Sequence, residues 1–335
     1  MKTSDFDYRL PEEMIAYRPV AERHNSRLMV LDREHGGINH KRFFELPDLL
    51  NAGDLLVLNN TRVLPARLFG NRKSGREIEV LLLEKQDGRR WTCLVRNPKE
   101  NLEIKFGSDV NATLHRNGRS EWIIEFNEKS PLFLDRIGKM PLPPYIKRAP
   151  DESDRSSYQT VFAEKEGAIA APTAGLHFTP ELLGRLKRKG VEIRYVTLHV
   201  GIGTFKPVQA ENIEEHEMHA EQREIPIETA AAVNRARADG RRVIAVGTTV
   251  VRTLESSVDE EGSVEPLKGR TDLYIRPGFK FKAVNGLITN FHLPRSTLLM
   301  LVSAFAGREF IFKAYDSAMS SGYRFLSYGD AMFII

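Results

Sequence analysis

Three histidines in this chain follow predicted strands and stand in turns of small or polar residues: His177, His199 and His292. Histidine titrates near neutral pH, so its ring can donate or accept a proton during a reaction. In α/β folds the loops at the carboxyl ends of strands form the crevices in which ligands bind. We therefore predict that these histidines are catalytic acids or bases, with His177 in the most exposed setting. The alternative is that each ring is hydrogen-bonded within a structural network.

Strand and helix signals around the histidines predict the elements that position them. Thr179-Pro180-Glu181 is typical of a helix start, and Ser296 is a candidate cap for an apolar helix. Alternation of strands with helices predicts a mixed, mostly parallel sheet that collects polar side chains at one edge. Four runs combine an apolar strand with a turn of small or polar residues: 169–178, 196–205, 243–254 and 287–299.

A different pattern occupies the chain from about residue 65 to residue 144. Six short alternating strands follow one another without a helix, and Asp87-Gly88 and Asn117-Gly118 are hairpin-turn signals between them. Such strands are typical of a small barrel. The sequence thus predicts an α/β main domain of residues 1–64 and 145–335, with a small antiparallel β-barrel domain inserted as residues 65–144.

The composition excludes several classes of protein. Among 335 residues the only cysteine is Cys93, so neither an internal disulfide nor a cluster of cysteine ligands for zinc or iron–sulfur can form. The first residues lack the apolar run of a secretory signal, and the longest apolar stretch, Leu298 to Ala306, is too short to span a bilayer. We therefore expect a cytoplasmic location and no membrane partner.

Short motifs exclude several common chemistries. The sequence has no P-loop and no G-x-S-x-G motif, and Gly201 and Gly203 lack the third glycine of a dinucleotide fingerprint. His216 and His219 are three residues apart, whereas the zinc metalloprotease helix needs a spacing of four. A polar loop or surface strand is the favoured interpretation of that segment, and we expect no metal site.

Charge is uneven along the chain. Residues 66–150 contain 17 lysines and arginines against 11 aspartates and glutamates, whereas the formal net charge of the whole chain is +4. A basic module favours a polyanionic partner such as RNA, although an excess of this size also arises as ordinary surface charge.

Eight collinear runs carry a further signal: NNTRVLPARLFG (59–70), LPPYIKR (142–148), YQTVFA (158–163), AAPTAGLHFTPELL (170–183), VTLHVGIGTFKPV (196–208), VIAVGTTVVRTLE (243–255), LITNFHLPRSTLLMLVSAFAG (287–307) and YRFLSYGDAM (323–332). Together they resemble the S-adenosylmethionine:tRNA ribosyltransferase-isomerase family of queuosine biosynthesis over nearly the whole chain. The resemblance implies an α/β domain with an inserted β-barrel, as the element pattern does. Departures occur at Val250, where serine is expected, and at Ile202, where alanine is expected.

The resemblance also implies a reaction. The ribosyl moiety of S-adenosylmethionine is transferred to 7-aminomethyl-7-deazaguanine at the wobble position of tRNA and isomerised, which gives epoxyqueuosine-tRNA, adenine and methionine. S-Adenosylmethionine is then a co-substrate, no tightly bound cofactor is expected, and the enzyme is expected to be a monomer.

Roles for polar residues follow from the same resemblance. A helix N-terminus with Arg252 suits the methionine carboxylate, Asp330 suits the ammonium or a ribose hydroxyl, and Arg62 suits a phosphate or the target base. The alternative for Asp330 is a structural cap. Residues of the turns and strand ends assigned to adenine and ribose are Asn59, Asn60, Thr173, Thr248, Thr249 and Asn290, and Gly175 is expected at the substrate site. Candidates for electrostatic binding of tRNA phosphates are Arg72, Lys73, Arg76, Arg89 and Arg90.

Two other functions fit part of this pattern. A non-catalytic RNA-binding module would use the basic barrel, but it has no use for three histidine-bearing turns. A methyltransferase would also bind S-adenosylmethionine, but the Gly-rich turn after an early strand that such enzymes use is missing.

Overall fold

The computed structural model describes residues 1–118, 121–129, 132–201, 203 and 207–335, and it contains a nine-stranded sheet and a closed six-stranded barrel. The predicted class, a mixed α/β sheet with an inserted antiparallel barrel, is confirmed. Ile202 and part of the glycine-rich run after His199 lie outside the described residues.

The nine-stranded sheet is mixed, with four parallel strands at its centre and one further parallel pair, formed by its first and last strands in chain order. Its strands are β1 (Arg27–Asp32), β2 (Gly37–Arg42), β3 (Leu55–Asn59), β12 (Glu192–Leu198), β13 (Glu221–Ile225), β14 (Val243–Val246), β15 (Leu267–Thr271), β16 (Gly286–Asn290) and β17 (Ala331–Ile334). The order is β15-β13-β12-β3-β14-β16-β17-β1-β2, and β12, β3, β14 and β16 run parallel. Parallel pairing places the carboxyl ends of these four strands at one edge.

Helices cover both faces of this sheet. In β3, Leu55 and Val57 belong to one core cluster while Leu56 and Leu58 belong to the other, because successive side chains of a strand alternate between faces. The helices are α1 (Leu46–Leu49), α2 (Leu132–Ile137), α3 (Asp154–Ser157), α4 (Pro180–Arg188), α5 (Ile227–Ala238), α6 (Thr248–Glu255), α7 (Thr297–Ala306) and α8 (Arg308–Ser320). Helix α4 packs on one face, and α5 to α8 pack on the other.

Two predicted helix starts are confirmed by their caps. Thr179 Oγ1 accepts a hydrogen bond from the Leu182 amide at 3.2 Å, and Ser296 Oγ accepts one from the Leu299 amide at 3.2 Å. These side chains satisfy amides that have no partner inside the first turn of α4 and α7.

All six predicted barrel strands are present in the closed barrel. They are β5 (Arg67–Arg72), β6 (Glu77–Lys85), β7 (Arg90–Val95), β8 (Leu102–Phe106), β9 (Val110–Asn117) and β10 (Glu121–Phe126). Cys93 lies in the barrel core, where burial raises its pKa to about 12, as expected for a core-filling residue. The proposed domain limits at 64/65 and 144/145 stay a prediction.

The predicted strand at 169–171 is wrong. A short strand, β11 (Lys165–Ala168), ends just before it and pairs with β4 (Thr61–Val63). Ile169 then packs in the barrel core, whereas Ala170 and Ala171 pack in two other clusters. The apolar run therefore passes from one core cluster to another. It is buried, but it does not belong to a β-strand. Separately, no helix among the described residues is long and apolar enough to cross a membrane.

Candidate active site

A small cleft of about 50 Å³ opens at the carboxyl ends of β14 and β16, beside the start of α6. Parallel pairing of these two strands places their following turns side by side. The cleft is lined by polar residues from several segments: Tyr145, Thr173, Thr248, Thr249, Thr289, Asn290, His292, Ser296 and Ser327. The structure thus brings together five predicted site residues, namely Thr173, Thr248, Thr249, Asn290 and His292.

His292 lines this cleft as a neutral imidazole. Its Nε2 lies 3.0 Å from Thr289 Oγ1, and its backbone amide donates to Tyr315 Oη at 2.9 Å. Burial lowers the pKa of the ring to about 3, so the ring carries no charge at pH 7. When the Thr289 hydroxyl donates to Nε2, the ring proton sits on Nδ1, and a neutral ring can donate a hydrogen bond to a substrate.

His177 is buried behind the small cleft, at 4% exposure, and the prediction of an exposed setting is wrong. A 3₁₀ helix over Thr173–His177 turns the ring inward, where it packs on Phe43 at a centroid distance of 4.9 Å. Its Nδ1 lies 2.9 Å from Ser26 Oγ and its Nε2 lies 3.2 Å from Asn290 Nδ2. Both ring nitrogens therefore have protein partners, which favours the structural-network alternative for His177.

Asn290 connects this ring to the cleft. Its Oδ1 accepts a hydrogen bond from Thr173 Oγ1 at 2.8 Å, so the two predicted site residues hold each other at the rim. Gly175 lies behind the rim instead: a Cβ there would approach Phe162 and Thr160 at 2.9 Å. Close packing, and not contact with a ligand, accounts for glycine at this position.

Asn59 and Asn60 are buried and bonded within the protein. Asn59 Nδ2 donates to the Leu198 carbonyl at 3.0 Å and to Thr249 Oγ1 at 3.2 Å. Asn60 Nδ2 donates to Glu164 at 2.9 Å, and its Oδ1 accepts from Thr197 at 2.7 Å. The structure thus uses both amides to fasten β3 to β12, so a direct hydrogen bond to adenine or ribose from either side chain is not supported.

The assignment of Arg252 to the methionine carboxylate is corrected by its surroundings. Its guanidinium forms a buried ion pair with Glu221, and its Nε donates to the Leu273 carbonyl at 2.9 Å. Glu221 Oε1 in turn accepts from the Gly201 amide at 2.8 Å. Arg252 therefore points away from the start of α6 and ties that helix to β13 and to the turn at Gly201. Val250 is fully buried in the core, and no polar role falls to it.

Asp330 is also committed within the protein. Its two carboxylate oxygens accept hydrogen bonds from the amides of Arg27 and Arg324, each at 2.8 Å. Burial raises the pKa of this carboxyl, and only 2% of the residue is exposed. The structure supports the cap alternative over a contact with the substrate.

A second, larger cleft of about 690 Å³ lies between the barrel and the main sheet. His199 lines it, and the His199 Nδ1 is 2.8 Å from Thr61 Oγ1. The ring lies against Gly167, where an added Cβ would be 2.8 Å from His199 Cε1. Burial lowers the pKa of His199 from its ordinary value. Within the described part of the chain no hydrogen bond engages its Nε2, so this neutral ring keeps a nitrogen for a ligand in the large cleft.

The predicted phosphate-binding residues fall into two separate groups. Arg72 ends β5, and Lys73 and Arg76 lie in the turn between β5 and β6, whereas Arg89 lies in the turn after β6 and Arg90 begins β7. Nine residues of β6 separate the turns, which corresponds to about 30 Å at ~3.3 Å per residue. The turn that follows β6 adjoins the large cleft, because Glu84, Lys85 and Gln86 line that cleft. The five residues therefore do not form one patch.

The two groups also differ in their partners. Arg72 donates to the carbonyls of Arg96 and Asn97, and Arg90 pairs with Asp87 at 2.6 Å. Arg62 is exposed on β4 and is the neighbour of Glu166 in the ladder with β11.

Sequence reasoning missed several residues that line the clefts. Tyr145 Oη lies 2.5 Å from Ser327 Oγ at the small cleft, and burial raises the Tyr145 pKa above its ordinary value. Trp91 and Trp122 line the large cleft. The signal available in the sequence was the presence of Tyr145 and Ser327 in two of the eight family-like runs. No group of three metal-ligating side chains occurs within the described residues.

Folding stability is expected to decrease as the pH falls from 6.5 towards 4. His177 and His292 have pKa values of about 4 and about 3 in the folded chain, below the ordinary 6.5. Below pH 6.5 the unfolded chain binds more protons than the folded one, so acid favours unfolding, whereas above pH 6.5 this contribution is constant. Urea titrations from pH 4.5 to 7.5 measure the effect. A His292→Gln variant should show a shallower dependence, and a midpoint independent of pH would contradict the prediction.

Comparisons with known proteins agree with the geometry. A family model described as queuosine biosynthesis protein matches residues 3–334. The chain is 50% identical over 342 residues to the S-adenosylmethionine:tRNA ribosyltransferase-isomerase of Pelobacter propionicus, and 52% identical over 347 residues to that of Moorella thermoacetica, with 100% of each chain covered. A crystal structure of S-adenosylmethionine tRNA ribosyltransferase from Thermotoga maritima is 39% identical, with a TM-score of 0.57 over 99% of this chain and 100% of that one. This chain therefore belongs to the queuosine biosynthesis protein family, the S-adenosylmethionine:tRNA ribosyltransferase-isomerases.

Proposed function

We propose that this enzyme transfers and isomerises the ribosyl moiety of S-adenosylmethionine onto 7-aminomethyl-7-deazaguanine at the tRNA wobble position. The observation that carries the proposal is the small cleft, where neutral His292 and a set of hydroxyl and amide groups meet at the start of α6. The polar groups of this cleft are few and convergent, as in small-molecule sites.

The chemistry defines what these groups do. Adenine leaves its ribose carbon with the bonding electron pair and takes up a proton, and a neutral donor such as His292 stabilises that departing base. The sulfur of methionine leaves as a neutral thioether. From a neutral amine, the reaction forms epoxyqueuosine and releases adenine, methionine and one proton.

The remaining parts of S-adenosylmethionine have candidate partners in the same cleft. Thr173, Asn290 and the Tyr145–Ser327 pair offer hydrogen bonds to adenine and ribose. With Arg252 committed to Glu221, the methionine carboxylate is left to the first-turn amides and hydroxyls of Thr248 and Thr249.

The test is an incubation with S-adenosylmethionine and tRNA that carries the aminomethyl base. Chromatography detects free adenine, and mass analysis detects the gain on the tRNA. We expect adenine and epoxyqueuosine-tRNA in equal amounts. Release of S-adenosylhomocysteine instead would indicate a methyltransferase, and tRNA binding without adenine would indicate a binding module.

Binding of tRNA is expected to weaken steeply with salt. The exposed barrel arginines neutralise phosphates and release counterions, so the logarithm of the binding constant should fall linearly with the logarithm of salt concentration. Filter binding at 50 to 200 mM KCl measures the slope. A flat response would contradict an electrostatic contribution from these residues.

We further propose that the enzyme works as a cytoplasmic monomer without a tightly bound cofactor. The single cysteine, which allows no disulfide within the chain, supports the reducing cytoplasm as the location. Light scattering behind a sizing column should give the mass of one chain, and a mass of two chains would contradict it.

A further inference from the structure

We propose that the large cleft between barrel and sheet is the subsite for the unstacked wobble nucleotide of the RNA, separate from the small cleft for S-adenosylmethionine. This assignment rests on the proposed function and adds where each substrate binds. It also assigns His199 as the residue that accepts a proton from the substrate amine.

The two clefts share one wall. Val200 lines both of them, and its neighbour His199 lines only the large one. The two clefts therefore adjoin at Val200, directly after β12. Two substrates that exchange a ribosyl group must meet at such a boundary, because their reacting atoms have to approach within bonding distance.

The two clefts differ in size. The large cleft, at about 690 Å³, has room for a nucleotide, whereas the small cleft, at about 50 Å³, cannot enclose one.

The walls of the large cleft offer what an unstacked base requires. Both tryptophans of the chain line it, and Trp122 is half-buried on β10. Unstacked bases in RNA complexes stack on aromatic side chains and hydrogen-bond through their edges. Gln86 and Asn117 provide amide groups at the same wall.

Charged side chains of both signs line this cleft, among them the carboxylates of Glu84, Glu121 and Glu166. Arg270 lines it from β15 and pairs with Glu84 of β6 at 2.9 Å, and Lys85 follows on β6. Arg89 lies in the next turn, whereas Arg76 lies at the opposite end of β6. The RNA backbone is therefore expected to contact the Arg89 end of the barrel.

His199 connects this subsite to the reaction. In the tautomer in which Nδ1–H donates to Thr61, the lone pair of Nε2 accepts a proton from the aminomethyl nitrogen. The nitrogen keeps its electron pair and forms the new bond to the ribosyl moiety, from which adenine departs with its bonding pair and methionine departs as a neutral thioether, and the proton passes from the imidazolium to solvent.

Intrinsic tryptophan fluorescence tests the assignment, because both reporters lie in the proposed subsite. An anticodon stem-loop RNA with the aminomethyl base should change the emission, and S-adenosylmethionine alone should not. N-Acetyltryptophanamide corrects for absorption by the RNA. The change should be largely lost in Trp122→Phe, since Trp91 is only 3% exposed.

Matched variants supply a second readout. Trp122→Ala should raise KM for tRNA about 10-fold or more, as expected for a lost stacking contact, with KM for S-adenosylmethionine within about twofold. Trp122→Phe, which keeps an aromatic ring, should restore most of the affinity. Arg89→Ala should weaken RNA binding more than Arg76→Ala does, and Arg188→Ala on exposed α4 is the charge-matched control.

The outcomes separate this assignment from the proposed function. Adenine release in the wild type together with an emission change caused by S-adenosylmethionine alone would overturn the subsite assignment and leave the function standing. So would equal losses in Arg89→Ala and Arg76→Ala. If no adenine appears, the proposed function itself fails, whatever the fluorescence shows.

Discussion

Replacing His199 by glutamine is expected to lower the rate of epoxyqueuosine formation by about 10²- to 10⁴-fold, the usual contribution of a general base. Glutamine can still bond to Thr61 but cannot accept the proton at the position of Nε2. Single-turnover formation of modified tRNA, followed by mass analysis, measures the loss. His35→Gln, in the exposed turn after β1, is the matched control and should react at the wild-type rate.

The pH profile distinguishes a base from a structural residue. The pKa of His199 is lowered by burial, so its ring is already neutral at pH 7 and becomes protonated only in acid. The rate of wild-type enzyme should therefore be flat near pH 7 and decrease as the pH falls below 6.5. In His199→Gln this acid limb should be absent. A variant that keeps the limb and the rate would remove His199 from the mechanism.

The Gly167→Ala variant independently tests the position of the His199 ring. An added Cβ would lie 2.8 Å from Cε1 and 2.9 Å from Nε2 of His199, and the φ of +148° is one that residues with a side chain rarely adopt. The ring must move, so we expect a loss of rate similar to that of His199→Gln. Wild-type activity in a folded Gly167→Ala protein would contradict the placement of the ring.

Breaking the buried pair of Arg252 and Glu221 is expected to have the largest effect on stability. Both side chains are almost fully buried, at 4% and 6% exposure. Arg252→Ala removes the cation that balances the buried Glu221 carboxylate, which costs about 3–5 kcal/mol of unfolding free energy. Urea denaturation at pH 7.5 measures the change. Arg136→Ala, which removes exposed ion pairs with Asp109 and Glu128, is the control and should cost less than about 1 kcal/mol.

A double variant separates the cost of burying an unbalanced charge from the cost of lost packing. Arg252→Met with Glu221→Gln removes both charges while it retains most of the volume, so the loss should be smaller than the sum of the single losses. A loss below about 1 kcal/mol for Arg252→Ala would show that the ion pair is not a structural tie.

Local patterns predicted the elements of this fold because they depend on neighbours in the chain. Alternating residues between Asp87-Gly88 and Asn117-Gly118 identified barrel strands, and Thr179 and Ser296 identified helix starts that their caps confirm. The local pattern at residues 169–171 predicted a strand. This prediction was wrong because the three apolar residues pack into separate core clusters and do not belong to one sheet.

The amino-acid sequence by itself determined the fold class, the family and the set of polar residues from which a site could be built. Only the tertiary structure decided which of them remain available to a ligand. His177 and His199 follow similar strand-end patterns, yet Ser26 and Asn290 occupy both nitrogens of one ring, while Thr61 occupies only one nitrogen of the other. These partners lie more than a hundred residues away, so the choice depends on how sheet and barrel pack, which no local spacing encodes.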